Sequence, residues 1–110
     1  MKPISLNRNN DFRRLYSRGK SYVSPLLVTY VQKNRFGPSR MGITASKKTG
    51  NAVERNRSRR VIKEAFRALY PELRTGYDFV FVARGRTGKA KMQDVLCAMR
   101  KHLRSAGLLS

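Results

Sequence analysis

The side chains able to make or break a bond are few in this chain, and their spacing does not let them work together. A hydrolytic centre built from protein groups needs clustered carboxylates holding metal ions, or a histidine acid–base pair. The carboxylates are Asp11, Glu54, Glu64, Glu72, Asp78 and Asp94, and no two stand at i/i+3 or i/i+4. Asp11 and Asp94 suit helix first turns, and Glu54 suits a capping box. His102, the single histidine, lies near Lys101 and Arg104 and is expected at the solvated surface. Cys97, the single cysteine, excludes an intrachain disulfide. It has no CxxC or Cys/His spacing for zinc, and its apolar neighbours suggest a small core residue. A Ser or Cys nucleophile would lack an obvious base. The residues therefore nominate no catalytic group and no cofactor in the protein itself, and leave metal binding open.

What the chain has in excess is positive charge. Lys and Arg number 25 against 6 Asp and Glu, a formal net charge of +19 over 110 residues. A field of that size repels a second copy and attracts polyanions, with binding that weakens steeply as salt rises. Nucleic acid is the leading partner. A membrane surface is disfavoured, because no long Lys/Arg-faced helix with a Trp/Phe/Leu back is present and Trp is absent. No run reaches transmembrane length, and the N-terminus lacks the apolar stretch of a signal peptide, so a reducing cytoplasm is expected.

The charge is densest in Ser46–Arg67, where Lys47, Lys48, Arg55, Arg57, Arg59, Arg60, Lys63 and Arg67 face only Glu54 and Glu64. This stretch also has helical grammar. Asn51 with Glu54 resembles a capping box, and Pro71 forces an end near Tyr70. At helical periodicity Asn56, Arg59, Arg60, Lys63 and Arg67 share an arc of about 100°. Val61, Ile62, Ala65, Phe66 and Leu69 occupy the opposite arc. The near-single sign of the exposed arc favours a polyanion site over an ordinary solvated face.

The elements around this helix follow from turn signals and periodicity. Asn7 can cap a first helix over about residues 8–17, closed by Gly19 in a left-handed conformation. Phe12, Leu15 and Tyr16 fall on one face of it, and the rings suit either burial in the core or partial exposure as platforms for unpaired bases. From Ser21 to Gln32 the pattern is extended, with Pro25 separating a short edge piece from a main strand. In that strand Leu27, Thr29 and Val31 alternate with Leu26, Val28 and Tyr30, so both faces are partly covered. The Asn34–Ser39 turn and the extended run Met41–Ser46 suggest a hairpin. Tyr77–Ala83 is nearly all apolar, as a buried central strand would be. The loop Arg84–Lys91 is basic and glycine-rich, but Ala83 and Ala90 stand where a P-loop needs Gly and Ser or Thr. Met92, Val95, Leu96, Met99 and Leu103 mark a last amphipathic helix over about 91–105. The order is α-β-β-β-α-β-α, a single small α+β domain over residues 1–110. It has a mixed sheet packed with helices and a parallel βαβ unit near its middle.

The central stretch is also distinctive as a motif. Gly42-Ile-Thr-Ala-Ser-Lys-Lys-Thr-Gly-Asn-Ala-Val-Glu-Arg-Asn-Arg-Ser-Arg-Arg-Val-Ile-Lys-Glu-Ala-Phe-Arg67 resembles the signature of the bacterial ribonuclease P protein subunit. Asp11-Phe12 through Tyr16 and Gly19 is similar to that family's first helix, Arg40-x-Gly42 to its third strand, and Tyr77-Asp-Phe-Val to its last. Lys63 stands where arginine is common, and Thr49 where an aliphatic is common. The resemblance implies a ribonucleoprotein endonuclease in which RNA carries catalysis and Mg²⁺, while the protein helps hold the 5′ leader of precursor tRNA. It implies contact with the catalytic RNA by Arg55, Asn56, Arg57, Arg59 and Arg60, with Lys47, Lys48 and Lys63 nearby. It implies a leader-binding cleft at Phe12, Tyr16 and Tyr30, and a left-handed βαβ crossover where general chirality rules expect a right-handed one. The rival reading is a structural RNA-binding protein of ribosomal type. A duplex-DNA binder is disfavoured because no helix-turn-helix turn precedes the Arg-rich helix.

Overall fold

In the computed structural model, which describes residues 4–6, 8–35 and 37–109, the apolar run Tyr77–Ala83 (β5) is the middle strand of the sheet. On one side β5 pairs antiparallel with β3 (Leu27–Lys33), which pairs antiparallel with the edge strand β2 (Lys20–Val23). On the other side β5 runs parallel to β4 (Arg40–Thr44), and β1 (Ile4–Ser5) pairs parallel with β4 at the far edge. The sheet order is β1-β4-β5-β3-β2. The β4-helix-β5 unit is parallel as expected, and Pro25 separates β2 from β3. The expected hairpin of β3 with β4 does not form, because β5 lies between them. The most apolar strand takes the place with two hydrogen-bonded neighbours, leaving the turn at 34–39 to link strands that are not adjacent. The two-residue β1 had no sequence signal.

Helix α2 (Ala52–Leu69) and helix α3 (Met92–Ser105) cover one face of the sheet, and helix α1 (Asn9–Arg18) covers the other. Alternation along β5 divides the two layers. Phe79, Phe81 and Ala83 join Val61, Ile62, Ala65, Phe66 and Leu69 of α2 and Val95, Met99 and Leu103 of α3 in the main core. Val80 faces the other way, to Leu15 of α1 and Leu6, with Phe12, Tyr30 and Val82 packed around them. The apolar arc read from α2 is buried as expected.

Helix ends follow local chemistry. Asn51 Oδ1 accepts from Glu54 N at 2.8 Å, and Asn51 N donates to Glu54 Oε1 at 3.1 Å, completing the capping box of α2. The helix stops at Leu69, and Pro71 sits in the 3₁₀ turn that follows. At α1, Arg8 occupies the N-cap without a side-chain cap, and Asn7 lies outside the described residues. Gly19 is extended (φ −72°, ψ 155°) rather than left-handed. What glycine supplies there is room, since a Cβ would come within 2.5 Å of Leu15 O.

Two residues of α3 exchange the surroundings expected of them. His102 is buried, and its Nδ1 lies 2.8 Å from Thr29 Oγ1 of β3. Cys97 is exposed. Periodicity explains both: His102 follows Val95 by two full turns and shares its inward face, whereas Cys97, two residues past Val95, points outward.

Candidate nucleic-acid interface

The basic arc of α2 is presented by the burial of its opposite side. Asn56, Arg59, Arg60 and Lys63 are exposed, and Arg55 is half-buried. Lys47 and Lys48 are exposed in a 3₁₀ turn at the start of α2, closed by Thr49 Oγ1 donating to Ser46 O at 2.6 Å. The positive end of the helix dipole adds to their attraction for phosphate. Arg57 differs from its neighbours. Its Nε donates to Gly88 O and its Nη2 to Ala90 O, both at 3.0 Å. It fastens the basic loop after β5 to α2, so at least part of its hydrogen-bonding capacity is used within the fold.

The three aromatic residues named from sequence come together on the α1 side. Phe12 and Tyr16 have ring centroids 6.4 Å apart, and Tyr16 meets Tyr30 edge-on at 5.0 Å. Tyr16 is 41% exposed although its hydroxyl lies 2.6 Å from Thr44 Oγ1. Phe12 and Tyr30 are half-buried. The rings are thus neither wholly core nor free platforms: each is fixed from one side and open on another. Gly42 makes this possible, because a Cβ there would come within 2.6 Å of the Phe12 ring.

Phe12 and Tyr16 line a cavity of about 380 Å³ whose other wall includes Ile43, Thr44 and Arg59. A second cavity of about 360 Å³ shares Ile43 and Arg59 with the first and adds Arg60 and Lys63. Arg59, held by a bond from Nη2 to Ala45 O at 3.4 Å, therefore stands where the aromatic cleft meets the basic arc. Tyr30 lines neither cavity and contributes by bracing Tyr16.

Sequence reasoning passed over the most heavily bonded residue near this site. Asp78 has no exposed side-chain surface. It accepts from Arg14 Nη2 at 2.7 Å, Arg40 Nη2 at 2.6 Å, Arg40 Nε at 2.9 Å and Asn34 Nδ2 at 2.8 Å. Burial alone would raise its pKa, but the hydrogen bonds from Arg40, Asn34 and Arg14 outweigh burial and hold the carboxyl below its ordinary value. Hydrogen bonding to Asp78 in turn raises the Arg40 pKa above its usual value, against the opposing effect of burial. The signal was present in the sequence: a single carboxylate inside an otherwise apolar strand needs buried partners.

Folding also brings Asp11 towards Asp78, since Arg14 Nη2 lies 3.4 Å and Arg40 Nη2 3.9 Å from Asp11 Oδ1. Guanidinium groups occupy the space between these carboxylates, which suits neither a metal ion nor an acid–base pair. No group of three or more His, Cys, Asp or Glu suited to a metal ion occurs among the described residues. Nor, among them, is any helix long and apolar enough to cross a membrane.

Known proteins share both sequence and shape with this chain. The family model "Ribonuclease P" matches residues 1–107. The chain belongs to the ribonuclease P protein family. Among curated relatives, the ribonuclease P protein component of Clostridium botulinum strain 657 is 42% identical over 109 residues, covering 98% of each chain. That of Clostridioides difficile strain 630 is 46% identical over 91 residues, covering 82% of this chain and 80% of its own. The solved RNase P protein of Staphylococcus aureus superposes with a TM-score of 0.86 at 29% identity, covering 99% of this chain and 100% of that one. The RNase P protein from Thermotoga maritima gives 0.81 at 27% identity, covering 92% and 96%. The α+β fold, with its mixed five-stranded sheet and three helices, is that of the ribonuclease P proteins. A protein component of ribonuclease P has RNA as its partner.

Proposed function

We propose that this protein assists a catalytic RNA in removing the 5′ leader of precursor tRNA, working as a cytoplasmic holoenzyme subunit. The basic arc docks on the catalytic RNA: Arg55, Asn56, Arg59, Arg60 and Lys63, with Lys47, Lys48 and Arg57 at its margin. The cleft of Phe12 and Tyr16, braced by Tyr30, holds the single-stranded leader. Leaders differ in sequence, and stacking on rings accepts any base at about 1–3 kcal/mol each. On this reading bond cleavage and Mg²⁺ belong to the RNA component, and in the protein Asp11 and Asp78 are engaged by Arg14 and Arg40.

The observation that carries this reading is the junction at Arg59. A surface suited to unpaired bases and a surface suited to folded RNA meet at one side chain. A subunit that must hold substrate beside a catalytic RNA needs such adjacency. A purely structural RNA-binding protein has no use for the cleft.

Mixing the protein with catalytic RNA at low Mg²⁺ and physiological salt tests the proposal. Cleavage of precursor tRNA at the leader junction is expected to be stimulated. Unstimulated cleavage, with the protein sedimenting only with ribosomal subunits, would favour the ribosomal reading instead.

A further inference from the structure

The register of the sheet places the Asp78 network directly beside the aromatic cleft. Gln32, Asp78 and Arg40 are cross-strand partners on β3, β5 and β4, forming one row on the face that α1 covers. Two residues further along each strand, the next row on that face is Tyr30, Val80 and Gly42. The following row ends in Val82 and Thr44. Helix α1 touches all three rows. Arg14 binds Asp78 and Gln32 in the first, Phe12 lies against Gly42 in the second, and Tyr16 reaches Tyr30 and Thr44 in the second and third.

Arg14 stands two residues from Phe12 and two from Tyr16. Fixing its guanidinium therefore fixes the height and rotation at which both rings stand over the sheet. The apolar contact under α1 is small, chiefly Leu15 with Leu6 and Val80. Apolar burial is non-directional, whereas a fully buried carboxylate gripped by two guanidinium groups has little positional freedom.

We propose that Asp78 is a positioning residue for substrate recognition: through Arg14 and Arg40 it sets α1 on the sheet and so holds the cleft open to leader bases. This rests on the reading of the cleft as the leader site. Asp78 itself touches no RNA, being covered on all sides. Its influence falls chiefly on leader-bearing substrates, because Asp78 acts on α1, whereas the basic arc is carried by α2 and meets the cleft only at Arg59.

The test uses the reconstituted holoenzyme and compares its affinity for leader-bearing precursor with that for mature tRNA. Variants D78N and R14Q are measured beside F12A, with circular dichroism and thermal melts to establish folding. D78N and R14Q are expected to lower the precursor-to-mature ratio by about fivefold or more, the smallest change expected when one stacked base is lost. Combining either with F12A is expected to add little, since both act through the same contact. The nuclear Overhauser contact between the Tyr16 and Tyr30 rings is expected to weaken in R14Q. R14Q is the safer variant, because Arg14 is partly exposed and Arg40 still pairs with Asp78, so it decides the matter if D78N does not fold. The proposal is overturned if R14Q melts normally and keeps the wild-type ratio while F12A loses it. It is also overturned if the R14Q and F12A effects simply add. Should F12A itself leave the ratio unchanged, the leader reading fails and this inference with it.

Discussion

The aromatic cleft and the basic arc adjoin at Arg59 but are held in place by opposite means. The arc is carried on a helix secured by eighteen residues of amphipathic periodicity, a capping box and a deep apolar seam of Val61, Ile62, Ala65, Phe66 and Leu69. Its cations need no further organisation, since phosphate attraction is long-ranged and tolerant of geometry. The cleft is carried on a ten-residue helix with one fully buried apolar side chain, Leu15. Stacking on leader bases, as proposed, would demand ring positions correct to a fraction of a ring width, and the Asp78 network is the proposed source of that precision. A surface that recognises charge can rest on packing alone, whereas one that recognises flat bases needs directional bonds beneath it.

The largest effect should come from removing the centre of that network. Asp78→Ala leaves Arg14 and Arg40 without their buried partner and is expected to cost about 3 kcal/mol or more in denaturant unfolding. A cost under about 1 kcal/mol would place the stability of α1 elsewhere and undo the comparison.

The arc should behave in the reverse manner. Replacing Arg55, Arg59 and Arg60 together with Ala is expected to change folding stability by only about 0.5 kcal/mol per site or less. The slope of log K for catalytic RNA against log salt should flatten by about 2 to 3 units. An unchanged slope would remove this face from the docking surface. The low pKa of Asp78 sets a pH signature for the cleft side. Its contribution to stability is fully present above the ordinary carboxylate range and is lost as pH falls through that range to the lower folded value. Acid melts of wild type and D78N should therefore differ most near neutral pH and converge in strong acid.

A smaller effect concerns His102. Burial lowers its pKa below 6.5, so the unfolded chain takes up the proton first. Stability is expected to be full above pH 6.5 and to decline as pH falls below it, and His102→Gln should flatten that decline. A flat profile in the wild type would show that the ring is hydrated.

Much of this was legible in the chain. Capping, periodicity and Pro71 delimited α2, and a nearly unbroken apolar run of high β-propensity marked β5 as central. The pairing of β3 with β5 was not legible, because a local turn signal at residues 34–39 says nothing about which strand inserts between its two arms. His102 and Cys97 were misjudged from their neighbours in sequence, although the period of α3 already placed them correctly. In the site, the exposed cations were readable from their single sign and Phe12 and Tyr16 from their spacing on α1, whereas Tyr30 on β3 came only from the family resemblance. Asp78 signalled itself as a lone carboxylate in an apolar strand, but its partners were hidden, since Arg14, Asn34 and Arg40 come from three separate segments that only the folded sheet brings together.

The proposed division of labour between the two surfaces can be tested by one paired measurement. Holoenzymes carrying Phe12→Ala with Tyr16→Ala are compared with those carrying Arg55→Ala, Arg60→Ala and Lys63→Ala, which leave Arg59 of the shared wall in place, each scored for catalytic-RNA affinity and for the precursor-to-mature tRNA ratio. The cleft variant is expected to lose the ratio and keep its affinity for catalytic RNA. The arc variant is expected to lose that affinity and, once saturated with RNA, keep the ratio. Equal loss of both quantities in both variants would contradict the account.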